Sequence, residues 1–300
     1  MSLSSPGMSQ HTHRFRSMDV DGVIVAPPDA DDAVTAARLT LNAWDDRFSR
    51  FDPGSELSRL NARAGSQVGI SISREMTSAI ATAISAARAT DGLFDPLLGG
   101  RMVELGYDRT YEELGDSGAF RPSPWVNSRW REIDLDPVAR TVRLPIGTAL
   151  DLGGLAKGMA VDEALTVVAA ASEFAAVSLG GDLAVHGVPP DHTEWIIALE
   201  APGTPSVGMR RGGLATSSVL RRRWTSGGVP RHHLLDPRTG LPAETGLVQV
   251  TVIAATCVQA EVAAKACLVL GPEGGAKFLR DHQLAGVLFD VDGTERRVHP

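Results

Sequence analysis

Apolar residues recur at helical spacing in two early stretches of the chain. Val34, Ala37, Leu41 and Trp44 follow Asp31, which can cap a helix, and Met76, Ile80, Ile84 and Ala87 line one side of a second segment. Residues 1–16 form a polar leader without a period, expected to be disordered, and Ser17 to Val25 reads as a first strand. Short apolar runs predict further strands around Ile133 and over Thr141 to Leu144, Ala176 to Leu179, Trp195 to Leu199, Gln249 to Ile253 and Val287 to Phe289. Tyr111 to Asn127, rich in Gly, Pro and acidic residues, reads as an irregular, mobile insert. No internal repeat is visible. Strands and helices follow a mixed order, which predicts an α+β fold of mostly antiparallel sheets flanked by helices rather than a doubly wound parallel sheet. Residues 17–300 are expected to form a single domain, either one body or two intimate lobes.

Composition adds exclusions. Forty-three per cent hydrophobic residues can fill a substantial core, and a net charge of −7 argues against general nucleic-acid binding. The Arg221-Arg222-Arg223 run before Trp224 is too short to reverse that and reads as a solvated strand edge. Cys257 and Cys267 both sit in apolar surroundings and are expected to be buried free thiols. No segment reaches the ~18 apolar residues of a membrane span. Met1 to Arg16 carries neither a signal-peptide pattern nor a cysteine to lipidate, which leads to the expectation of a cytoplasmic protein, or of an exported one whose leader has been removed.

Chemistry first shows in Asp151-Leu-Gly-Gly-Leu-Ala-Lys-Gly-Met-Ala-Val-Asp162, a glycine-rich turn that opens a helix and holds a lysine. Small residues let backbone N–H groups approach an anion, the helix N-terminus adds positive potential, and Lys157 adds a full charge. The spacing is neither a Walker A loop nor a dinucleotide fingerprint. By itself the turn fits a structural strand-to-helix corner equally well.

Three other segments change its meaning. Ser49-Arg-Phe-Asp-Pro-Gly-Ser-Glu-Leu-Ser-Arg-Leu-Asn61, Thr90-Asp-Gly-Leu-Phe-Asp-Pro96 and His232-His-Leu-Leu-Asp-Pro-Arg-Thr-Gly-Leu-Pro242 flank the turn in order, with Val177-Ser-Leu-Gly-Gly-Asp182 between the last two. Together they resemble the ApbE family, the FAD:protein FMN transferases once described as thiamine-biosynthesis lipoproteins, over Met18 to Phe289. The resemblance implies an ApbE-like alpha-beta roll, also describable as T-fold-like. It implies a flavoprotein-modifying chemistry in which FAD is cleaved at its pyrophosphate, FMN is joined by a phosphoester to a threonine or serine of an acceptor flavoprotein, and AMP leaves. Two alternatives stand beside it: an FAD-binding protein with weak or no transferase activity, and an FAD pyrophosphatase giving FMN and AMP.

Residue by residue, the resemblance implies that Met18, Phe51, Leu93, Phe94 and Asp95 contact FAD, with Phe51 at a place where relatives often carry tyrosine. Asp151 and Lys157 match FAD-binding positions, Lys157 offsetting pyrophosphate charge and Asp151 accepting hydrogen bonds. A Lys157 that merely faces solvent would sit in a helix's first turn, where a cation is mildly unfavourable. Thr216 and Ser217 can supply hydroxyl donors or form a strand-end turn. His233 matches the family's histidine and can act as an acid or base near neutrality; His232 beside it would point away in an extended segment.

Metal binding is where the chain departs from the family. Typical members hold Mg²⁺ through a carboxylate and a hydroxyl of a late helix and a carbonyl of the glycine-rich turn, implying Gly154 and Glu261 here. The aligned segment is Ala260-Glu-Val-Ala-Ala-Lys265, in which Ala264 offers no ligand and Lys265 replaces a threonine. Either Lys265 stands in for the metal, pairing with Glu261 when the site is empty, or Mg²⁺ still binds through Glu261, the Gly154 carbonyl, phosphate and water.

Overall fold

The structure, a computed structural model, describes residues 10–114, 123–125, 128–200 and 206–300. Strand β1 (His11–Ser17) turns back through Met18 and Asp19 into β2 (Val20–Ala26). Both turn residues take positive φ, 53° and 58°, the geometry that suits a two-residue hairpin loop. The Met18 N–H donates to Asp45 Oδ2 at 2.8 Å, anchoring that turn. The polar leader is therefore shorter than expected. Residues 11–16 form a full antiparallel ladder with β2, and their polarity suits an edge strand, where one flank of the backbone faces water. The remainder of the leader, residues 1–9, lies outside the described residues.

Six more strands complete the sheet: β3 (Ala175–Leu179), β4 (Asp182–His186), β5 (Gly212–Ser218), β6 (Leu247–Ala254), β7 (Ala285–Asp290) and β8 (Glu295–Val298). All eight lie side by side in chain order, each antiparallel to its neighbour. The α+β expectation with antiparallel pairing thus holds. Alternation divides the side chains of β3: Ala175, Val177 and Leu179 join the main core, while Ala176 joins a second cluster on the opposite face. That second face is covered by a ribbon of Trp195–Ala198 paired with Ser206–Met209.

The helices are α1 (Asp31–Phe48), α2 (Glu56–Asn61), α3 (Arg74–Ala89), α4 (Gly99–Glu104), α5 (Ala156–Ala169) and α6 (Cys257–Asp281). Helix α1 buries Val34, Ala37, Leu41 and Trp44 as its spacing predicts, with Phe48 continuing the stripe. Each large side chain of that stripe contributes about 1.5–3 kcal/mol when removed from water. Trp44 also donates its indole N–H to Glu163 Oε2 on α5 at 2.7 Å. Asp31 does not cap α1; a 3-10 turn over Pro28–Ala30 leads in, so Asp31 becomes the first helical residue, where its charge suits the dipole. Helix α3 starts on Ser73, whose hydroxyl accepts from Met76 N, and buries Met76, Ile80 and Ala87, with Ile84 half-buried. Helix α6 breaks at Gly271, whose φ of 78° precedes Pro272. Much of the predicted insert over Tyr111 to Asn127, residues 115–122 and 126–127, lies outside the described residues.

Helix α6 begins on a cap from another helix. Asp162 of α5 accepts from the N–H groups of Cys257 at 2.8 Å and Val258 at 3.0 Å, two donors that α6 leaves without a partner of its own. Asp162→Ala is expected to cost about 1.5–3 kcal/mol, the scale of hydrogen bonds to a charged group, as measured by urea unfolding.

Candidate functional site

One cavity of about 580 Å³ opens at the end of the sheet where α5, α6 and the β1–β2 turn meet. It is lined by all the residues assigned a cofactor, metal or acid–base role from the sequence: Met18, Phe51, Leu93, Phe94, Asp95, Asp151, Gly154, Lys157, Thr216, Ser217, His233, Glu261 and Lys265. Its volume falls in the range of small-molecule sites.

One part of the wall is apolar and aromatic. Phe51 packs beside Tyr107, ring centroids 5.6 Å apart, and the Arg50 guanidinium lies against both rings at 4.3 and 4.2 Å. Arg50 also donates to the Tyr107 carbonyl at 2.7 Å, and its Nε lies 3.8 Å from Asp151 Oδ2. Phe94 and Asp95 are buried. Burial raises the Asp95 pKa, against a hydrogen bond that its Oδ1 accepts from Leu97 N at 2.9 Å, in a turn that spans Pro96. Asp151 ties the glycine-rich turn together: its N–H donates to Pro96 O at 2.8 Å and its Oδ1 accepts from Gly153 N at 2.8 Å.

The other part of the wall carries charge. Lys157 does not face solvent. Its ammonium donates to Asp182, in β4, and to Glu261 Oε1, in α6, at 2.7 Å for the latter. Lys265 Nζ reaches the same Oε1 at 3.1 Å, and Gly158 N donates to Oε2 at 3.0 Å. Burial alone would lower the Lys157 pKa, but Asp182 and Glu261 outweigh it and hold it above the ordinary lysine range. Burial and the neighbouring Glu261 push Asp182 up. Glu261, buried as deeply, is instead pulled down by Lys157 and Lys265. Of the two carboxylates, Asp182 therefore takes a proton first.

This arrangement does not fit a divalent cation. Magnesium requires oxygen ligands at about 2.1 Å. Two ammonium groups, those of Lys157 and Lys265, already rest on Glu261 Oε1 and would repel a cation there, and the Lys265 stem passes so close to Gly154 that a Cβ on that residue would lie 3.0 Å from Lys265 Cε. Ala264 has no part in the wall; it is fully buried in the core between α6 and the sheet.

His233 lines the cavity and His232 does not, as strand alternation predicts. Burial, reinforced by the charges of Arg222 and Lys265, holds the His233 imidazole well below its ordinary pKa. Thr216 shares a hydroxyl hydrogen bond of 2.9 Å with Thr251, which positions it across β5 and β6. Ser217 is buried in the same wall.

Sequence reasoning missed several lining residues. The arginine run is solvated at Arg221 and Arg223, as expected, but Arg222 is half-buried, and Arg221 and Arg222 both line the cavity, Arg221 paired with Glu200. Asp182 closes the Val177–Asp182 segment but carried no assigned part, and Arg50 adjoins Phe51. Gln249 and Tyr107 had weaker signals, the former being a polar residue inside an apolar strand. Among the described residues, the buried atoms Arg50 Nη2, His233 Nδ1 and Gln249 Nε2 make no hydrogen bond, and unsatisfied donors and acceptors in a cavity wall point to a polar ligand.

The sequence model of the ApbE family matches residues 17–289. The chain belongs to the ApbE family. Similar ApbE relatives include the FAD:protein FMN transferase of Treponema pallidum, 30% identical over 78% of this chain and 70% of its own length. That of Chlamydia trachomatis is 31% identical over 74% and 71%. The crystal structure of the ApbE protein from Thermotoga maritima superposes with a TM-score of 0.84 at 25% identity, covering 96% of this chain and 97% of its own. Among the described residues of this ApbE chain, no helix is long and apolar enough to cross a bilayer.

The depressed His233 pKa has a sign that can be tested. In the unfolded chain the imidazole titrates near 6.5, so as pH falls the unfolded state binds the proton first and folding stability drops below that pH. The raised Asp182 pKa acts in the opposite direction but is common to wild type and variant. The unfolding free energy of wild type relative to His233→Gln is therefore expected to fall by up to about 1.4 kcal/mol per pH unit below about pH 6.5, measured by urea unfolding across the acid range.

Proposed function

We propose that the chain binds FAD in this cavity and transfers its FMN portion to a serine or threonine of an acceptor flavoprotein, releasing AMP. The relatives named above are FAD:protein FMN transferases. The observation that carries the reading to this chain is the convergence, in one cavity, of a ring-lined wall suited to an isoalloxazine and a cation-bearing wall suited to a diphosphate.

In the proposed reaction the acceptor hydroxyl oxygen attacks the phosphorus on the riboflavin side of the diphosphate. The new P–O bond forms as the bond to AMP breaks, in line, and positioning and charge supply most of the catalysis. His233 is a neutral imidazole whose Nδ1 has no hydrogen-bond partner among the described residues, so it can accept the hydroxyl proton. Phe51 and Tyr107 offer faces for the flavin, Tyr107 supplying a phenol beside the position where relatives often carry one. Asp95 and Asp151 orient polar edges, and Thr216, Ser217 and Gln249 supply donors. The acceptor presents its Ser/Thr motif as an extended segment at the mouth of the cavity. In the alternative reading Mg²⁺ would be held by Glu261 and the Gly154 carbonyl, but two ammonium groups already rest on Glu261 Oε1, and no step above runs through a metal.

Purified protein, FAD and a candidate acceptor flavoprotein should give in-gel flavin fluorescence on the acceptor and one AMP per flavin attached. FAD without acceptor should give little AMP; rapid FMN and AMP release would favour the pyrophosphatase reading, and tight FAD binding with neither product would favour binding alone. FAD should bind more tightly than FMN by calorimetry, since only FAD spans both walls with a diphosphate. His233→Gln is expected to lower the transfer rate by about 10²–10⁴-fold, the usual contribution of a general base, with FAD affinity nearly unchanged.

A further inference from the structure

Two ammonium groups meet on one carboxylate oxygen in this cavity. Lys157 Nζ lies 2.7 Å and Lys265 Nζ 3.1 Å from Glu261 Oε1. Lys157 also pairs with Asp182, so with both carboxylates ionised the three groups Lys157, Asp182 and Glu261 sum to one negative charge. Lys265 brings the cluster to neutrality. A dianionic diphosphate brought to this wall without Lys265 would meet net negative charge, and in a partly buried site that repulsion is weakly screened.

Lys265 is placed to do more than neutralise. Its side chain keeps 19% exposure and lines the cavity, and one of its three N–H donors is engaged by Glu261. Its stem crosses the glycine-rich turn at Gly154, where a Cβ would be only 3.0 Å from Lys265 Cε. The stem thus passes beside Gly154 and the ammonium ends on Glu261, the two residues that would supply oxygen ligands to a divalent cation. Arg222 lines the same cavity and forms no ion pair among the described residues, which adds a second cation.

We propose that Lys265 carries the cation role at the diphosphate in this chain, so that FAD binds without a divalent metal. The inference rests on the FAD reading above. As FAD enters, Lys265 keeps its contact with Glu261 and turns its remaining N–H donors to a phosphate oxygen; no bond is made or broken in this step.

The test is calorimetric titration of the purified protein with FAD, in chelator and in excess Mg²⁺, repeated for Lys265→Met and Lys265→Arg. Riboflavin, which has no phosphate, serves as the control ligand. Wild-type FAD affinity should change less than about twofold with Mg²⁺, and Lys265→Met should weaken FAD by about 10–100-fold, the scale of a lost charged hydrogen bond. Lys265→Arg should retain most of the affinity. Riboflavin affinity should stay within error in both variants, which separates loss of charge from loss of the pocket even though Lys265→Met, lacking one of the three donors to buried Glu261, should melt at a lower temperature. FAD binding that requires Mg²⁺ in the wild type, or that is untouched by Lys265→Met, overturns the cation role and leaves the FAD reading standing. Absence of FAD binding under every condition overturns the FAD reading, and this inference with it.

Discussion

The meeting of α5, α6 and the sheet depends on the Glu261 carboxylate. It is 2% exposed, and a carboxylate so placed costs several kcal/mol unless its lone pairs are occupied. Three donors occupy them: the Lys157 ammonium and the Gly158 N–H from the first turn of α5, and the Lys265 ammonium from the next turn of α6. Lys157 extends the contact to Asp182 at the start of β4. Gly158 makes the approach possible, since a Cβ there would lie 2.8 Å from Val258 Cα and 2.9 Å from Glu261 Oε2. Asp162, one turn further along α5, caps the start of α6 and holds the same crossing from its other side.

A buried ion cluster is seldom the most stable way to join two helices. Well-packed apolar residues of similar volume often do as well or better. What apolar residues cannot do is hold several charges at a cavity wall with their pKa values driven apart. Here shared desolvation raises Asp182 while two lysines hold Glu261 ionised, and burial together with nearby positive charge keeps His233 neutral. Structural latch and site electrostatics are one set of contacts.

Parts of this were legible along the chain. Helices α1 and α3 were, because a stripe of apolar residues at helical spacing needs only neighbours a turn away to declare itself. Strand β1 was not, because an edge strand whose one apolar residue is Phe15, among His, Thr, Arg and Ser, shows no alternating apolar face. Strand β5, Gly-Gly-Leu-Ala-Thr-Ser-Ser, acquires its register only from β4 and β6 on either side. At the site, the motif-bearing segments led to most of the cavity wall. Tyr107, Arg222 and Gln249 were not found, because their backbones bring them to the cavity from segments that carry no motif.

The sequence by itself determined the family, through four ordered segments, and the fold class, through mixed helical and strand patterns. It also determined that a lysine stands at position 265, where a hydroxyl ligand is usual in the family. Only the tertiary structure decided what the charges do. Lys157 and Glu261 are 104 residues apart, and Lys157 and Asp182 are 25 apart. Whether such groups meet is set by the angle and closeness of a helix crossing, and no one-dimensional period records that. Lys157, read from its local context as a free cation in a helix's first turn or an anion binder, thus became a partner of two buried carboxylates while still lining the cavity beside Lys265 and Arg222.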